Sequence, residues 1–319
     1  MRHRPVVVVL GGAERPPGMH GAEQRAVVRY TTEDRLADEL PGAEVLFVWR
    51  TPGSAGSAAN IWPNADALRW VHSASAGAGG LPPAELLAGD VLVTSSRGVF
   101  DEPIAEYVLG VVLAFAKDLP GRMRLQQSRG WRHLETERVA GKSALVAGTG
   151  SIGRAIGRKL RAAGMSVTGV GRAGRANDPD FGVVLPLDRW TDGLRGADYV
   201  VLAAALTRET RGLVDRRALI TMKPTARVIN VGRAGLVVLD ELAEAVRVGR
   251  IAGAALDVFP DERLPGGSPL WELPSVLLSP HMSGQVVGWR AELVGLFTEN
   301  LRRYLDGEEL INLVDRPHG

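Results

Sequence analysis

Two α/β domains built on parallel sheets are what this sequence predicts, and three observations carry the prediction. A strand–helix–strand unit with glycines at its first turn occupies Ser143–Gly171. Short apolar runs alternate with helical patterns on both sides of that unit, as they do when a parallel sheet is wound with crossover helices. The length of 319 residues leaves ample chain for two cores.

Within the central unit, Ser143–Ala147 is a short apolar run of the kind a buried parallel strand requires. Glycines follow as Gly148-x-Gly150-x-x-Gly153, and apolar residues then recur at helical spacing through Ile156, Leu160 and Ala163. Gly164 stops the helix, and Ser166–Val170 reads as the second strand. In such a unit the first glycine permits the tight turn, the second lets a pyrophosphate approach the backbone, and the third lets helix and strand pack closely. The free N–H groups at Ser151 and Ile152 would hold the anion. A bland tight turn is the alternative, but the correct elements on both sides favour a dinucleotide site. A Rossmann-type, doubly wound parallel sheet is therefore expected over residues 99–287.

Before it, Val6–Leu10, Glu44–Val48, Leu68–His72 and Val91–Thr94 read as strands, with a helix over Thr32–Leu40. Gly-, Ser- and Pro-rich loops at Thr51–Ala59 and Ser73–Pro83 complete a flavodoxin-like unit, and Pro16–Gly21 reads as loop or disorder. Pro103–Leu119 is predicted as a helix with Asp101 at its N-cap and Pro120 just beyond its end. Its stretch Tyr107–Ala116 is apolar almost all round, which suits a core or an oligomer interface. Its place between two domains favours the interface, hence a homodimer. Further strands are expected at Tyr199–Ala203, Arg227–Asn230, Ala254–Val258 and Val276–Leu278, with helices at Arg189–Leu194, Arg216–Thr221 and Asp240–Val248. The helical tail Gln285–Leu305 is placed to recross to the first domain. The division is thus 1–98 with 288–319, a discontinuous domain, and 99–287.

Composition narrows the function. Lys plus Arg exceed Asp plus Glu by only two charges, and no dense basic block with aromatic interleaving points to nucleic acid. Cysteine is absent, which excludes disulfides, thiolate zinc sites and a cysteine nucleophile; no metal is expected. The run Val6–Leu10 is too short for a signal-peptide core, and Tyr107–Ala116 falls short of the ~20 residues a membrane helix needs. A cytoplasmic enzyme is the expectation.

A nicotinamide enzyme needs a proton donor beside the hydride path and usually a cation for its substrate. Of the six histidines only His281 directly follows a strand of the second domain, and ligands of parallel sheets bind at the carboxyl ends of strands. Alone, it is equally a loop histidine without a role. Arg233 and Glu262 follow two other strands of the same domain. A cation, a carboxylate and an imidazole at three strand ends of one sheet are harder to ascribe to chance than any one of them.

The second domain resembles that of the D-isomer-specific 2-hydroxyacid dehydrogenases. The resemblance rests on the glycine turn, Ile229-Asn230-Val231-Gly232-Arg233-Ala234-Gly235, Gly253-Ala254-Ala255-Leu256-Asp257-Val258-Phe259 and Ser279-Pro280-His281-Met282-Ser283-Gly284. It runs from about Ser95 to Gly284 and is weak over the first 60 residues. It implies that Arg233 binds the carboxylate and carbonyl of a small 2-oxo acid, that His281 protonates the carbonyl oxygen, and that Glu262 fixes the imidazole tautomer. It puts Leu206, Thr210 and Val231 among the cofactor contacts and Asp257 near the nicotinamide carboxamide, although capping of the loop would equally explain Asp257. Ala76 and Gly77 resemble the loop whose N–H groups receive the substrate carboxylate; Trp49 and Arg50 would close the pocket, unless Trp49 merely packs. Ala205 stands where the family usually has proline before Leu-Thr, and Arg263 replaces the proline that commonly follows the glutamate.

A glyoxylate/hydroxypyruvate-type reductase is expected, its active site in a cleft between the domains. The rival is a nucleotide-sensing binding protein like the corepressors on this fold. For the cofactor, NAD enzymes place Asp or Glu at the end of the second strand, on the ribose 2′-OH. Gly171 stands there, followed by Arg172 and then Arg175, so NADPH is expected over NADH, with both guanidiniums on the 2′-phosphate.

Overall fold

The computed structural model describes residues 4–12, 15–49, 64–77 and 90–314. The chain divides into two compact units, Met1–Phe100 with Val287–Gly319, and Asp101–Val286.

The first unit holds β1 (Val6–Leu10), β2 (Val27–Thr31), β3 (Val45–Val48), β4 (Trp70–Ser73) and β5 (Leu92–Ser95), all parallel in the order β2-β1-β3-β4-β5. Side chains alternate between the faces of a strand, and both faces here are buried. Val7, Val9, Phe47 and Trp70 pack with Leu293, Val294, Phe297 and Leu301 of the C-terminal helix, Trp289–Asp306. Val8, Leu10, Leu46 and Val71 pack with Leu36 and Leu40 on the other face.

Two expectations are corrected in this unit. Thr32–Leu40 is not one helix but a 3-10 turn, Glu33–Arg35, followed by a single turn of α-helix, Leu36–Glu39. Thr32 spends its hydroxyl on the Asp34 carboxylate at 2.6 Å rather than capping the backbone, and Arg35 leaves the helical region at φ −108°, ψ 1°. The loop expected at Pro16–Gly21 passes into a short helix, α1 (His20–Glu23), which makes the Leu36–Glu39 turn α2. Strand β2 was not anticipated, although its Val-Val-Arg-Tyr-Thr composition is strand-forming.

His72 lies on β4 with no solvent exposure, among Phe47, Trp70 and Phe297. The Thr94 hydroxyl accepts the Trp70 indole N–H at 2.8 Å and stands 2.7 Å from His72 Nδ1. Burial pushes this imidazole down to about 3 from its ordinary 6.5. The unfolded chain therefore takes up a proton below pH 6.5 that the folded chain refuses until about pH 3. Stability from this residue is complete above pH 6.5 and falls by up to about 1.4 kcal/mol per pH unit on acidification through that window. Denaturant titrations from pH 7 to 5 should show this slope in the wild type and a flatter one in His72→Asn; equal slopes would contradict it.

The second unit begins with α3 (Asp101–Ala116) and α4 (Leu119–Gln127). Its sheet comprises β6 (Ser143–Ala147), β7 (Ser166–Gly171), β8 (Arg175–Asp178), β9 (Gly182–Pro186), β10 (Tyr199–Leu202), β11 (Arg227–Asn230), β12 (Gly253–Leu256) and β13 (Val276–Leu278). The order is β13-β12-β11-β10-β6-β7-β9-β8, parallel except for the antiparallel edge strand β8. Helices α5 (Ser151–Ala162), α6 (Trp190–Leu194), α7 (Arg216–Thr221) and α8 (Leu239–Arg247) connect the strands. Strand order reverses at β6, with β7 on one side and β10 on the other, and that switch point is where doubly wound sheets open a ligand crevice. No helix among the described residues is long and apolar enough to cross a membrane.

Here too the structure amends the helix ends. Asp101 lies inside α3 rather than capping it, and Pro120 does not follow a helix but sits in the first turn of α4. Proline is tolerated there because a first-turn N–H has no helical partner. Asp118, left-handed at φ 47°, caps α4 by accepting the Gly121 N–H at 3.2 Å. Strands β8 and β9 were not expected; Arg-Ala-Asn-Asp shows no apolar alternation, and β8 is held instead by the buried carboxylate of Asp178.

Candidate active site

The glycine turn after β6 is built by close approach. Gly148 adopts φ +109°, and a Cβ there would lie 2.5 Å from the Ala203 carbonyl oxygen at the end of β10. A Cβ on Gly153 would lie 1.9 Å from the Gly148 carbonyl oxygen. At Gly150 a Cβ would meet nothing within 4 Å, so this face of the turn is open. Gly150 is also the N-cap of α5, and no side chain caps the helix. The N–H groups of Ser151 and Ile152 thus point out of a 12-residue helix at an open face, a cradle that fits a pyrophosphate. The Ser151 hydroxyl is engaged elsewhere, donating to Asp101 Oδ1 at 3.1 Å.

At the end of β7 the two arginines part company. Arg172 is exposed and makes no hydrogen bond or ion pair among the described residues. Arg175 donates from Nε to Asp178 Oδ2 at 3.2 Å. Asp178 also receives both Arg154 guanidinium nitrogens at 3.1 Å and the backbone N–H of Asp180. Burial opposes ionisation of Asp178, but these donors outweigh it and hold the carboxyl at about 2.

Neighbouring strands β11, β12 and β13 end level with one another, Asn230 beside Leu256 and Leu256 beside Leu278. The residues that follow each strand therefore emerge on one edge of the sheet. Asn230 is fully buried and clamps its own loop: its Oδ1 accepts the Gly232 N–H at 3.1 Å, and its Nδ2 donates to the Arg233 carbonyl at 3.0 Å. Among the described residues, Arg233 Nη1 bonds only to the Gly232 carbonyl, at 2.8 Å.

After β12, Asp257 is buried at 1% exposure with its observed partners in the histidine loop. Its Oδ1 accepts the Ser279 hydroxyl at 2.5 Å and the Met282 N–H at 3.0 Å; its Oδ2 accepts the Ser283 N–H at 3.0 Å. Tyr107 of α3 in turn donates to Ser279 Oγ at 2.6 Å. The bonds are those of a loop cap, the alternative that the sequence left open for this residue. They bring His281 Nδ1 to 2.5 Å from Glu262 Oε2. Both side chains are solvent-accessible, at 47% and 67%. Asp261, Glu262 and His281 all have φ between 50° and 55°, in the left-handed region that costs non-glycine residues energy. Backbone strain concentrated on both members of one hydrogen-bonded pair is a mark of a functional site.

Of the remaining expected contacts, Val231 lies buried at the start of the Arg233 loop, and Leu206 packs over Gly235 in the same loop. The Thr210 hydroxyl is spent within its own loop, donating to the Ala205 carbonyl at 2.7 Å and accepting the Thr207 N–H at 2.8 Å. In the other unit, Trp49 stacks on Trp289 with ring centroids 6.5 Å apart. Ala76 and Gly77 follow β4, with open space at Gly77, and Arg50 lies outside the described residues. Sequence reasoning missed Asn230, Ser279 and Tyr107 as positioning groups. Asn230 directly precedes the arginine loop and was open to notice, whereas Tyr107 is 172 residues from its partner.

Comparison with known proteins bears on the family and the fold. The family described as D-isomer specific 2-hydroxyacid dehydrogenase, NAD binding domain, matches residues 109–283. A glyoxylate reductase of Thermococcus gammatolerans is 30% identical over 265 residues, 80% of this chain and 79% of that protein. A D-isomer specific 2-hydroxyacid dehydrogenase of Xanthobacter autotrophicus Py2, solved with NADPH and MES, superposes with a TM-score of 0.81 at 29% identity, covering 98% of this chain and 99% of that one. A family protein from Aeromonas salmonicida superposes with a TM-score of 0.78 at 28% identity, over 98% and 100% of the two chains.

Proposed function

Since the chain belongs to the D-isomer specific 2-hydroxyacid dehydrogenases, a family of NAD(P)-dependent oxidoreductases, we propose that it reduces a small 2-oxo acid to the D-2-hydroxy acid with NADPH. Glyoxylate or hydroxypyruvate is the preferred acid, on the similarity to glyoxylate reductases. The observation that carries the chemistry is the His281–Glu262 pair, 2.5 Å apart, on the same sheet edge as Arg233.

When bound, the reduced nicotinamide supplies the hydride. Arg233 holds the acid's carboxylate and carbonyl oxygen through its planar, permanently charged fork. Because Nδ1 of His281 faces Glu262, Nε2 is left to donate a proton to the carbonyl oxygen, or to take it from the hydroxyl in reverse. Glu262 fixes the tautomer and supports the imidazolium that the reaction requires. The unit Asp101–Val286 holds the dinucleotide at its glycine turn.

NADPH is favoured because Gly171 offers no carboxylate to a ribose 2′-OH, while Arg172, unpaired among the described residues, can meet a 2′-phosphate. Arg175, with Nε committed to Asp178, has its remaining guanidinium nitrogens for the same group. The chain also forms a symmetric dimer through α3: Leu113, with Leu119 and Met123 of α4, remains exposed.

Steady-state oxidation of NADPH and NADH with a panel of 2-oxo acids tests this reading, with light scattering on the same sample for the dimer. Turnover of a small 2-oxo acid with NADPH preferred is expected. Negligible turnover of every acid alongside tight cofactor binding would make the chain a nucleotide sensor, and a monomer at micromolar concentration would remove the dimer.

A further inference from the structure

Thr149 is the middle residue of the Gly148–Gly150 turn, and its side chain lies across the end of β7. A Cβ at Gly171 would stand 2.7 Å from Thr149 Oγ1 and 3.4 Å from its Cγ2. A Cβ at Gly169 would stand 3.1 Å from the same methyl group. Two glycines of β7 therefore form the floor on which this threonine rests. The residue is half-buried, and its hydroxyl makes no hydrogen bond among the described residues.

The end of the second strand is where a dinucleotide fold reads the adenosine ribose. A carboxylate there accepts a bond from the 2′-OH, and it would repel a phosphate. At this strand end the protein instead presents a hydroxyl close to Gly171 and, next in sequence, the Arg172 guanidinium, neither of which has a partner among the described residues. A hydroxyl can donate to a phosphate oxygen, and a guanidinium supplies the charge.

We propose that Thr149 is a specificity-determining residue for the cofactor: its hydroxyl donates to the 2′-phosphate beside Arg172, and its bulk keeps position 171 clear of the carboxylate that would select NADH. This rests on the reading that NADPH is the preferred cofactor. The two effects share one side chain. An aspartate at 171 would press its Cβ on the hydroxyl oxygen, so the threonine side chain must shift or be cut back to admit it.

Calorimetric titration of NADPH and NADH into the full chain tests both halves without relying on turnover. Thr149→Val keeps the shape and removes the donor; it should weaken NADPH by about ten- to a hundredfold and leave NADH unchanged. Thr149→Ser should retain most of the NADPH affinity. Gly171→Asp alone should bind both cofactors poorly, whereas Thr149→Ala with Gly171→Asp should bind NADH several-fold better than Gly171→Asp does. A wild type that binds NADH more tightly would overturn the cofactor reading and this inference together. A wild-type preference for NADPH that Thr149→Val leaves intact would overturn the hydroxyl's role alone. Tight NADH binding by Gly171→Asp with Thr149 in place would overturn the steric role.

Discussion

Replacing His281 with alanine should lower turnover of the 2-oxo acid by about a hundred- to ten-thousandfold while NADPH affinity is retained, the usual worth of a positioned proton donor. The ring's observed side-chain partner is Glu262, so truncation removes the proposed proton donor and leaves the glycine turn after β6 untouched. The loop itself stays tethered, because Asp257 grips it through the Ser279 hydroxyl and the N–H groups of Met282 and Ser283. One complication can be separated. His281 has φ 50°, where histidine and asparagine are better tolerated than alanine. His281→Asn keeps that backbone preference without the acid, and it should be nearly as slow as His281→Ala. Glu262→Gln, which keeps a hydrogen-bonding side chain, should lose less than either. Single-turnover rates and cofactor titrations measure both quantities. Full turnover in His281→Asn would remove the imidazole from the chemistry.

Arg233→Ala should reduce kcat/KM for the acid by at least about ten- to a hundredfold, again with cofactor affinity kept. Losing a charge-assisted anchor costs ~1.5–3 kcal/mol, and a carbonyl free to turn away from the nicotinamide adds to the loss. Arg233→Lys should not restore the activity, since an ammonium cannot span carboxylate and carbonyl as a planar fork does. The substitution spares the fold: Asn230 holds the loop through the Arg233 carbonyl and the Gly232 N–H, and both bonds survive side-chain truncation. Unchanged efficiency would take Arg233 out of the site.

Much of this could be read from residues alone because the signals are local. A run such as Tyr199–Leu202 is apolar on both faces, and only a strand covered on both sides satisfies it. The spacing of Gly148, Gly150 and Gly153 specified a strand-to-helix turn before any contact was known. Where a segment is held by a distant partner, the local signal fails. Strand β8 has no apolar face; it pairs antiparallel with β9, and Arg154, on α5, anchors its buried Asp178. The sequence places Pro120 just beyond the end of one helix, yet it sits in the first turn of another, capped by a left-handed Asp118.

The candidate site divides in the same way. By itself the sequence determined which groups are available: an arginine, a glutamate and a histidine after three strands, and a glycine where a carboxylate would select NADH. Tertiary structure alone decided that β11, β12 and β13 are neighbours with level ends, which places the three groups on one edge. It also decided that Asp257 serves the histidine loop and that Thr149 covers Gly171. The physical reason is that sheet order, register and close packing are set by contacts between residues far apart in the chain, whereas composition and spacing report only what neighbours along the chain can do.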